Sequence, residues 1–547
     1  MTLLDMATTG SLTSAAPLAS STHVGHSDSP RWLRLQVLLV LFGGLLLRLF
    51  EAWSYFLNPD EALHSLLASH NSLKQTYAAT LTTAHPPLLI VMLHYWGRLG
   101  HSELMLRLPS VVAGMAGCWL MYLWLEKITN RSAAFVGLLL MAFTPALVEL
   151  SAEVRQYAIL MFFMAACLYL SECALQEGSL WLIGLFSLSM CGAILTHYSA
   201  LLFVLAMFVY MAARLYRSGK PILAVAWASG QLVALALAIF LLATQVSRLK
   251  QSGAVQEIAG TYLRRSIYHP GESSLLLFPM RQTLWLFTYL FSHGFLGTIA
   301  LLAFIAGIVF LLRRQPPLPQ AGPTARELAL LLVLPFVANC LVAMGGWYPY
   351  GGTRHNSYLA LLAVSGIAIG VDRLRPRQLW TRTLAVILCL AVCNVFPAPP
   401  PLIRARNHSR KSMIAAAAFL RQSAPEGSIL FSDYQSGLLL GYYVCGHGVV
   451  QESPPLAPFA KAECGPYTAI TTSLQKWTST PNQLSGQVTG AAEVYRVASG
   501  THVWLFNAGW ILDSRAALQE QLLLLGCTAP HNFGDNVQVC ELTIRGN

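Results

Sequence analysis

Apolar stretches that return again and again through the first 400 or so residues constrain this chain more than anything else. We read eleven, at 33–50, 109–126, 132–149, 157–175, 180–196, 200–216, 221–243, 295–312, 328–346, 357–371 and 383–397. Each is about long enough to cross a hydrocarbon core of roughly 30 Å. Water cannot serve backbone N–H and C=O groups there, so each stretch must satisfy its own and be a helix. The expectation is a polytopic α-helical membrane protein of about eleven transmembrane helices.

Short basic loops orient such a chain. Arg31 and Arg34 precede the first stretch, Lys127 and Arg131 follow the second, and Arg214, Arg217 and Lys220 follow the sixth. Arg313 and Arg314 follow the eighth, and Arg373, Arg375, Arg377 and Arg382 follow the tenth. All become cytoplasmic if the N-terminus is cytoplasmic, the stretches number eleven and the C-terminal part lies outside. The net charge of +11 is then mainly a topology signal. Its basic clusters are short and scattered among spans, which argues against a nucleic-acid partner.

Segment 86–99 would invert every later loop if it crossed. It is short and carries His94 and Arg98, so it is read as a helix lying at the outer interface, with aromatic side chains at headgroup level. Residues 1–30, rich in Ser, Thr and Ala, are read as a disordered cytoplasmic tail, and 31–400 as the membrane domain. The Pro397–Pro401 run marks the exit. Beyond it, 401–547 is read as a small extracytoplasmic α/β domain. Helical patterns fall at Lys411–Gln422, Leu438–Tyr443 and Asp513–Leu525, and strand patterns at Gly427–Asp433, Thr501–Phe506 and Asn536–Ile544. Four of the eleven cysteines lie there, and proximity suggests the pairs Cys445–Cys464 and Cys527–Cys540. No metal-type cysteine spacing is present.

The polar residues that topology leaves unexplained collect on the outer side. Asp60 and Glu61 follow the first span in Asn58-Pro-Asp-Glu-Ala-Leu-His64. On a helix Asp60 and His64 share a face and Glu61 points elsewhere. Asp60 is then either a general base or an N-terminal carboxylate favoured by the helix dipole. His85 precedes two prolines that fix the chain before the interfacial segment. Glu153, Arg155 and Tyr157 open the fourth span: an interfacial ion pair with an aromatic anchor, or a second acid, a cation and a phenol for chemistry. His197 and Tyr198 sit in a tight outer turn. Arg354 and His355 open the tenth span after a Gly-Gly turn. An outer arginine runs against the positive-inside bias and calls for an anion, which a lipid phosphate would supply. Two or three carboxylates and several cations at one membrane face suit transfer from a lipid phosphate. Cations hold the leaving phosphate and a carboxylate takes the proton of an acceptor hydroxyl. That scheme requires no cofactor, although a divalent cation is compatible with it.

The ordered set Asn58-Pro-Asp60-Glu61-Ala, His85-Pro-Pro-Leu88, Arg107-Leu-Pro-Ser110 and Glu153-x-Arg155-x-Tyr157 resembles the GT-C fold glycosyltransferases. Within them it is similar to protein O-mannosyltransferases and the aminoarabinose transferases of lipid A. The resemblance covers roughly 33–400. It implies a polyprenyl-phosphate-linked sugar donor and an inverting transfer to a lipid, glycan or protein acceptor at the outer face. It implies Asp60 as the catalytic carboxylate, with Glu61 and Glu153 as further acids. His85, Arg155, Tyr157, His197, Tyr198, Arg354 and His355 would then contact donor or phosphate. The implied location is the bacterial plasma (inner) membrane. Members often carry Asp at the Glu153 position, and the C-terminal segment does not resemble the β-trefoil of eukaryotic protein mannosyltransferases. A secondary transporter or lipid-linked sugar flippase is the rival reading. It would place charges at the bilayer midplane in broken helices, whereas the span interiors here are nearly free of charge.

Overall fold

The computed structural model describes residues 31–81, 83–248, 263–314, 318–319, 321–374, 379–395, 409–446, 459–472, 483–509, 522–523, 525–527, 530–534 and 537–544. The chain begins with α1 (Arg31–Ser54), then three short helices, α2 (Pro59–Ala68), α3 (Leu73–Thr80) and α4 (Leu88–Trp96). There follow α5 (Glu103–Ile128), α6 (Arg131–Phe143), α7 (Pro145–Ser151), α8 (Tyr157–Glu177), α9 (Leu180–Thr196), α10 (Ala200–Ser218) and α11 (Pro221–Leu241). The membrane part ends with α12 (Leu277–Phe291), α13 (Gly294–Arg314), α14 (Ala325–Met344), α15 (Ala360–Leu374) and α16 (Leu379–Val395).

The described residues of all eleven expected stretches lie mainly on helix, with a break at Thr144 and a helix end at Met344 in the 328–346 stretch. Among the described residues seven helices have the length and apolarity to cross a membrane, and α6 with α7 makes an eighth if taken as one span bent by 59°. The helices α9, α15 and α16, of 17, 15 and 17 residues, are shorter. Segment 86–99 forms the nine-residue α4, about 13 Å long and too short to cross.

The bend has a local cause. Pro145 has no N–H to give Met141, and the residue before it, Thr144, is extended (φ −63°, ψ 124°). Arg48 of α1, only 1% exposed, takes over the freed carbonyls. Its Nη2 donates to Met141 O at 3.0 Å and its Nη1 to Ala142 O at 2.7 Å. A cation at a helix C-terminus also meets the negative end of the dipole.

The C-terminal part comprises α17 (Arg410–Ser423), β1 (Ile429–Ser432), α18 (Tyr434–Tyr443), β2 (Phe459–Cys464), β3 (Tyr467–Thr472), α19 (Gln483–Val494), β4 (His502–Asn507), β5 (His531–Asn532) and β6 (Gln538–Thr543). The six strands form one sheet in the order β2-β3-β1-β4-β6-β5, with β3, β1 and β4 parallel and the remaining pairings antiparallel. Side-chain alternation gives the sheet two apolar faces. Leu430, Ala469, Trp504 and Phe506 pack with α17 and α18, and Phe431, Ile470, Val503 and Leu505 with α19. The disulfides Cys445–Cys464 and Cys527–Cys540 are both formed. The pair β2–β3, the strand β5 and α19 carry no clear signal in the sequence. Most of the expected Asp513–Leu525 helix, the tail 1–30 and Pro397–Pro401 lie outside the described residues.

This domain is seated on the first loop. Leu66 and Leu67 of α2 and Ile90 and Leu93 of α4 share a core with Leu438 and Leu439 of α18. The Tyr443 hydroxyl accepts from Leu57 N–H (2.8 Å) and donates to Glu103 Oε1 (2.6 Å). Arg410 pairs with Glu103 from the other side.

Candidate active site

The site is built on the start of α2. Asn58 caps this helix: its side chain accepts from Glu61 N–H at 3.0 Å, while Glu61 Oε2 accepts from Asn58 N–H at 2.8 Å. The two bonds form a capping box, with Pro59 at the first helical position. Glu61 is 1% exposed and does more than cap. Its Oε1 and Oε2 accept from Arg107 Nε (2.8 Å) and Nη2 (2.7 Å), and Oε1 also accepts from Val154 N–H (2.7 Å). Arg107 in turn donates to the carbonyls of Ala52, Tyr55 and Phe56. Glu61 was expected beside Asp60 as a catalytic acid. Its carboxylate is taken up instead by Arg107 and by the N–H groups of Asn58 and Val154.

Asp60 Oδ2 meets Arg155 Nη1 at 2.9 Å and Arg354 Nη2 at 2.5 Å. Residues almost three hundred positions apart thus share one carboxylate oxygen. Arg354 is carried there by a tight turn. A Cβ on Gly351 would collide with Gln282, and the backbone there has φ +127°, open to glycine. Asn356 braces the turn, donating to Gly351 O (3.0 Å) and Thr353 Oγ1 (3.2 Å). Burial alone would raise the Asp60 carboxyl. The two guanidiniums, with His64 nearby, outweigh it and hold the group at about 2.

His64, one turn along α2, reaches Val154 O through Nδ1 at 3.1 Å. The Val154 peptide is therefore clamped to α2 at both ends, by Glu61 and by His64. The carbonyl accepts, so Nδ1 carries the proton and Nε2 is left as an acceptor. Imidazoles continue from there. His64 and His85 lie 6.1 Å apart between ring centroids, His85 and His197 5.5 Å, and His197 and His355 6.1 Å. Tyr157 stands 5.5 Å from His197 and 6.4 Å from His355, and beneath Arg155 at 5.6 Å. Burial first, and Arg155 beside it, lower His64 to about 4 and His197 to about 3. His85 and His355 are also pushed well down by burial and neighbouring cations or imidazoles. The four rings are neutral at pH 7, and His85 Nδ1 is buried with no hydrogen-bond partner.

Glu153 flanks the cluster. Its Oε1 accepts weakly from Asn58 Nδ2 (3.4 Å), and its Oε2 is buried without a partner. Burial and the Glu61 charge push it up to about 7. Of the residues expected in the site, the structure thus gathers Asp60, His85, Arg155, Tyr157, His197, Arg354 and His355, with Glu153 at the rim. It does not gather Tyr198, whose hydroxyl donates to Gln245 Oε1 at 2.9 Å. Gln156, which follows Arg155 in sequence and is 1% exposed with both amide atoms unpartnered, was not singled out in the sequence. Among the described residues no group of three His, Cys, Asp or Glu is placed to hold a metal ion.

Comparison with known proteins bears on the fold of the chain. Residues 84–244, less than a third of the chain, match the family model described as dolichyl-phosphate-mannose-protein mannosyltransferase. The Bacillus subtilis protein named "Putative mannosyltransferase YkcB" is 28% identical over 172 residues. That match covers 28% of this chain and 23% of the relative, so the chain spans about a quarter of that protein's length. The crystal structure of ArnT from Cupriavidus metallidurans in the apo state superposes with a TM-score of 0.51 at 13% identity, over 93% of this chain and 98% of ArnT. The structure of the same protein bound to undecaprenyl phosphate gives 0.53 at 13% identity over the same shares. The chain is thus a membrane protein with the GT-C glycosyltransferase fold, similar to ArnT in structure and, across 84–244, to the mannosyltransferases in sequence.

Proposed function

We propose that the protein transfers a monosaccharide from a polyprenyl-phosphate carrier to an acceptor hydroxyl at the extracytoplasmic membrane face, with inversion at the sugar. The observation that carries this reading is the meeting of Arg155 and Arg354 on Asp60. Two guanidiniums on one carboxylate make a site that the donor's phosphodiester anion can enter by exchange, and they hold the dianion that it becomes on leaving still more strongly. The arginines turn to the arriving phosphate and loosen their hold on Asp60, whose basicity then rises. The acceptor oxygen forms a bond to the anomeric carbon as the bond from that carbon to the phosphate oxygen breaks. The acceptor proton passes to Asp60, and the phosphate leaves with the bonding electrons, neutralised by the two arginines. His85, His197 and His355, neutral and bearing N–H groups, add donors to the phosphate without adding charge. The scheme needs no cofactor, and a divalent cation can assist it. The acceptor is a lipid, a glycan or a protein. The ArnT structure with undecaprenyl phosphate and the mannosyltransferase family match support a lipid-linked donor, and they make polyprenyl-phosphate mannose the first to try. In this reading the N-terminus is cytoplasmic, the C-terminal domain extracytoplasmic and the membrane the bacterial plasma membrane.

The test is a reconstitution in liposomes with radiolabelled polyprenyl-phosphate mannose and envelope extracts as acceptors. Asp60→Asn should express and fold yet form no product, and Arg354→Ala should need more donor. Transfer by Asp60→Asn at the wild-type rate removes Asp60 from the chemistry. Sugar that crosses the bilayer without a covalent product favours the flippase reading.

A further inference from the structure

The C-terminal sheet presents a second set of buried polar groups, at an edge that lies against the start of α2. In β3, β1 and β4 the strand interiors are apolar up to one common edge. There the chain changes to Ser432 and Asp433, Thr471 and Thr472, and Asn507, all 5% exposed or less. The register aligns these ends, since Ser432 pairs with Thr471 and Phe431 with Leu505. From β1 the chain crosses to β3 on one side, and β4 lies on the other. This is the kind of reversal beyond whose carboxyl ends open α/β sheets bind ligands.

At this edge α18 begins. Asp433 caps it by accepting from Ser436 N–H (2.7 Å), and Ser436 Oγ exchanges bonds with Ala508 N–H and C=O (2.9 Å each). The chain then leaves β4 through Gly509 at φ +114°. A Cβ there would stand 3.3 Å from Pro59 Cγ and 3.2 Å from Gln435 Oε1. The edge thus abuts the residue that precedes Asp60. Gln435, 5% exposed, has an Oε1 with no hydrogen-bond partner, and Ser432, fully buried, has an Oγ in the same condition. Strand alternation sets Ser432 and Thr471 on the face of Leu430 and Ala469, the face turned toward α18 and α2. Polar atoms shut away without partners oppose folding. Nothing in the local packing requires polarity at Gln435, where a methionine would fill the same volume.

We propose that this junction, formed by Ser432 and Gln435 against Pro59, binds the uncharged, hydroxyl-rich glycosyl part of the acceptor. A hydroxyl and an amide match sugar hydroxyls. Among the described residues the charge at the edge is the Asp433 carboxylate, which disfavours a phosphate. The position also suits the chemistry. The edge meets Pro59, and Pro59 directly precedes Asp60, the carboxylate read above as taking the acceptor proton. This inference rests on the transfer reading for the name "acceptor", but the binding itself can be measured without turnover.

The experiment uses the full chain in lipid nanodiscs and saturation-transfer NMR with a panel of neutral methyl hexosides and short linear oligohexosides. Wild type and Asp60→Asn should both transfer saturation to at least one glycoside. Gln435→Met and Ser432→Ala should lower that affinity at least tenfold, with unchanged binding of polyprenyl phosphate and an unfolding midpoint equal to or above wild type. Glycoside binding that is the same in both variants, or absent from wild type, overturns the proposal. Glycoside binding together with a transfer-competent Asp60→Asn upholds the site and defeats the catalytic reading of Asp60.

Discussion

Replacing Glu61 by glutamine separates architecture from chemistry at this site. The carboxylate accepts four hydrogen bonds within 2.8 Å, two from Arg107 and one each from the N–H groups of Asn58 and Val154. Every one of its neighbours is a donor. An amide keeps the shape but turns one acceptor oxygen into an NH2 that faces N–H groups. It also removes the counter-charge of Arg107, a guanidinium 2% exposed. The three carbonyls that Arg107 also bonds remain, but they carry no net charge. Breaking one side of a buried ion pair costs about 3–5 kcal/mol, because the other charge stays buried. Glu61→Gln should therefore lower stability by that amount, read as the unfolding midpoint of purified protein in detergent. A double-mutant cycle with Arg107→Met should give a coupling on the order of 1–3 kcal/mol. The loss should appear without donor and persist with it. A Glu61→Gln protein that unfolds at the wild-type midpoint and has lost turnover would refute this reasoning and return Glu61 to the catalytic acids.

Asp60 is held at about 2 against an ordinary 3.8, so its contribution is complete above pH 3.8 and is lost as pH falls through 2. That contribution is about 2 kcal/mol, and Asp60→Asn should flatten this acid limb in denaturant titrations. Glu153 behaves in the opposite sense. Pushed up to about 7 from 4.5, it keeps its proton in the folded chain where an unfolded glutamate has lost it. Stability should decline as pH rises from 4.5 towards 7, and Glu153→Gln should remove the slope in thermal melts between pH 4 and 8. Arg48→Met should cost about 2–4 kcal/mol by leaving two carbonyls at the α6–α7 break unserved, and unchanged melting of that variant would mean the bend satisfies itself. Tyr443→Phe removes one bond to Leu57 N–H and one to Glu103. It should cost about 1–3 kcal/mol and expose the 409–423 region to protease before the membrane helices unfold.

The membrane helices were legible because bilayer thickness writes itself into composition: 157–175 and 221–243 need nothing beyond their apolar length. The shared face of Asp60 and His64 was legible too, since a helix of known start fixes who stands one turn on. The partner of Glu61 was not. Two adjacent carboxylates look alike in a string of letters, and only the third dimension brings Arg107 to one and Arg354 to the other. Tyr198 was read with His197 because they are neighbours in sequence, yet at the end of α9 the backbone points them apart, one to Tyr157 and the other to Gln245. In the C-terminal part β1, β4 and β6 showed as β-branched or aromatic runs. The edge strand β2, Phe-Ala-Lys-Ala-Glu-Cys, has little intrinsic preference and is set by pairing with β3 and by Cys445.

One phenol joins two halves of the molecule. Tyr443 lies near the end of a helix in the appended domain, yet its oxygen ties off the backbone just ahead of Asn58 and the first carboxylate of α5. The loop that carries Asp60 therefore owes its shape to a segment almost four hundred residues downstream. A ribosome that has released only the membrane helices has made that loop with no splint. Its final form arrives late in synthesis, when the C-terminal domain has folded and clasped what was made first.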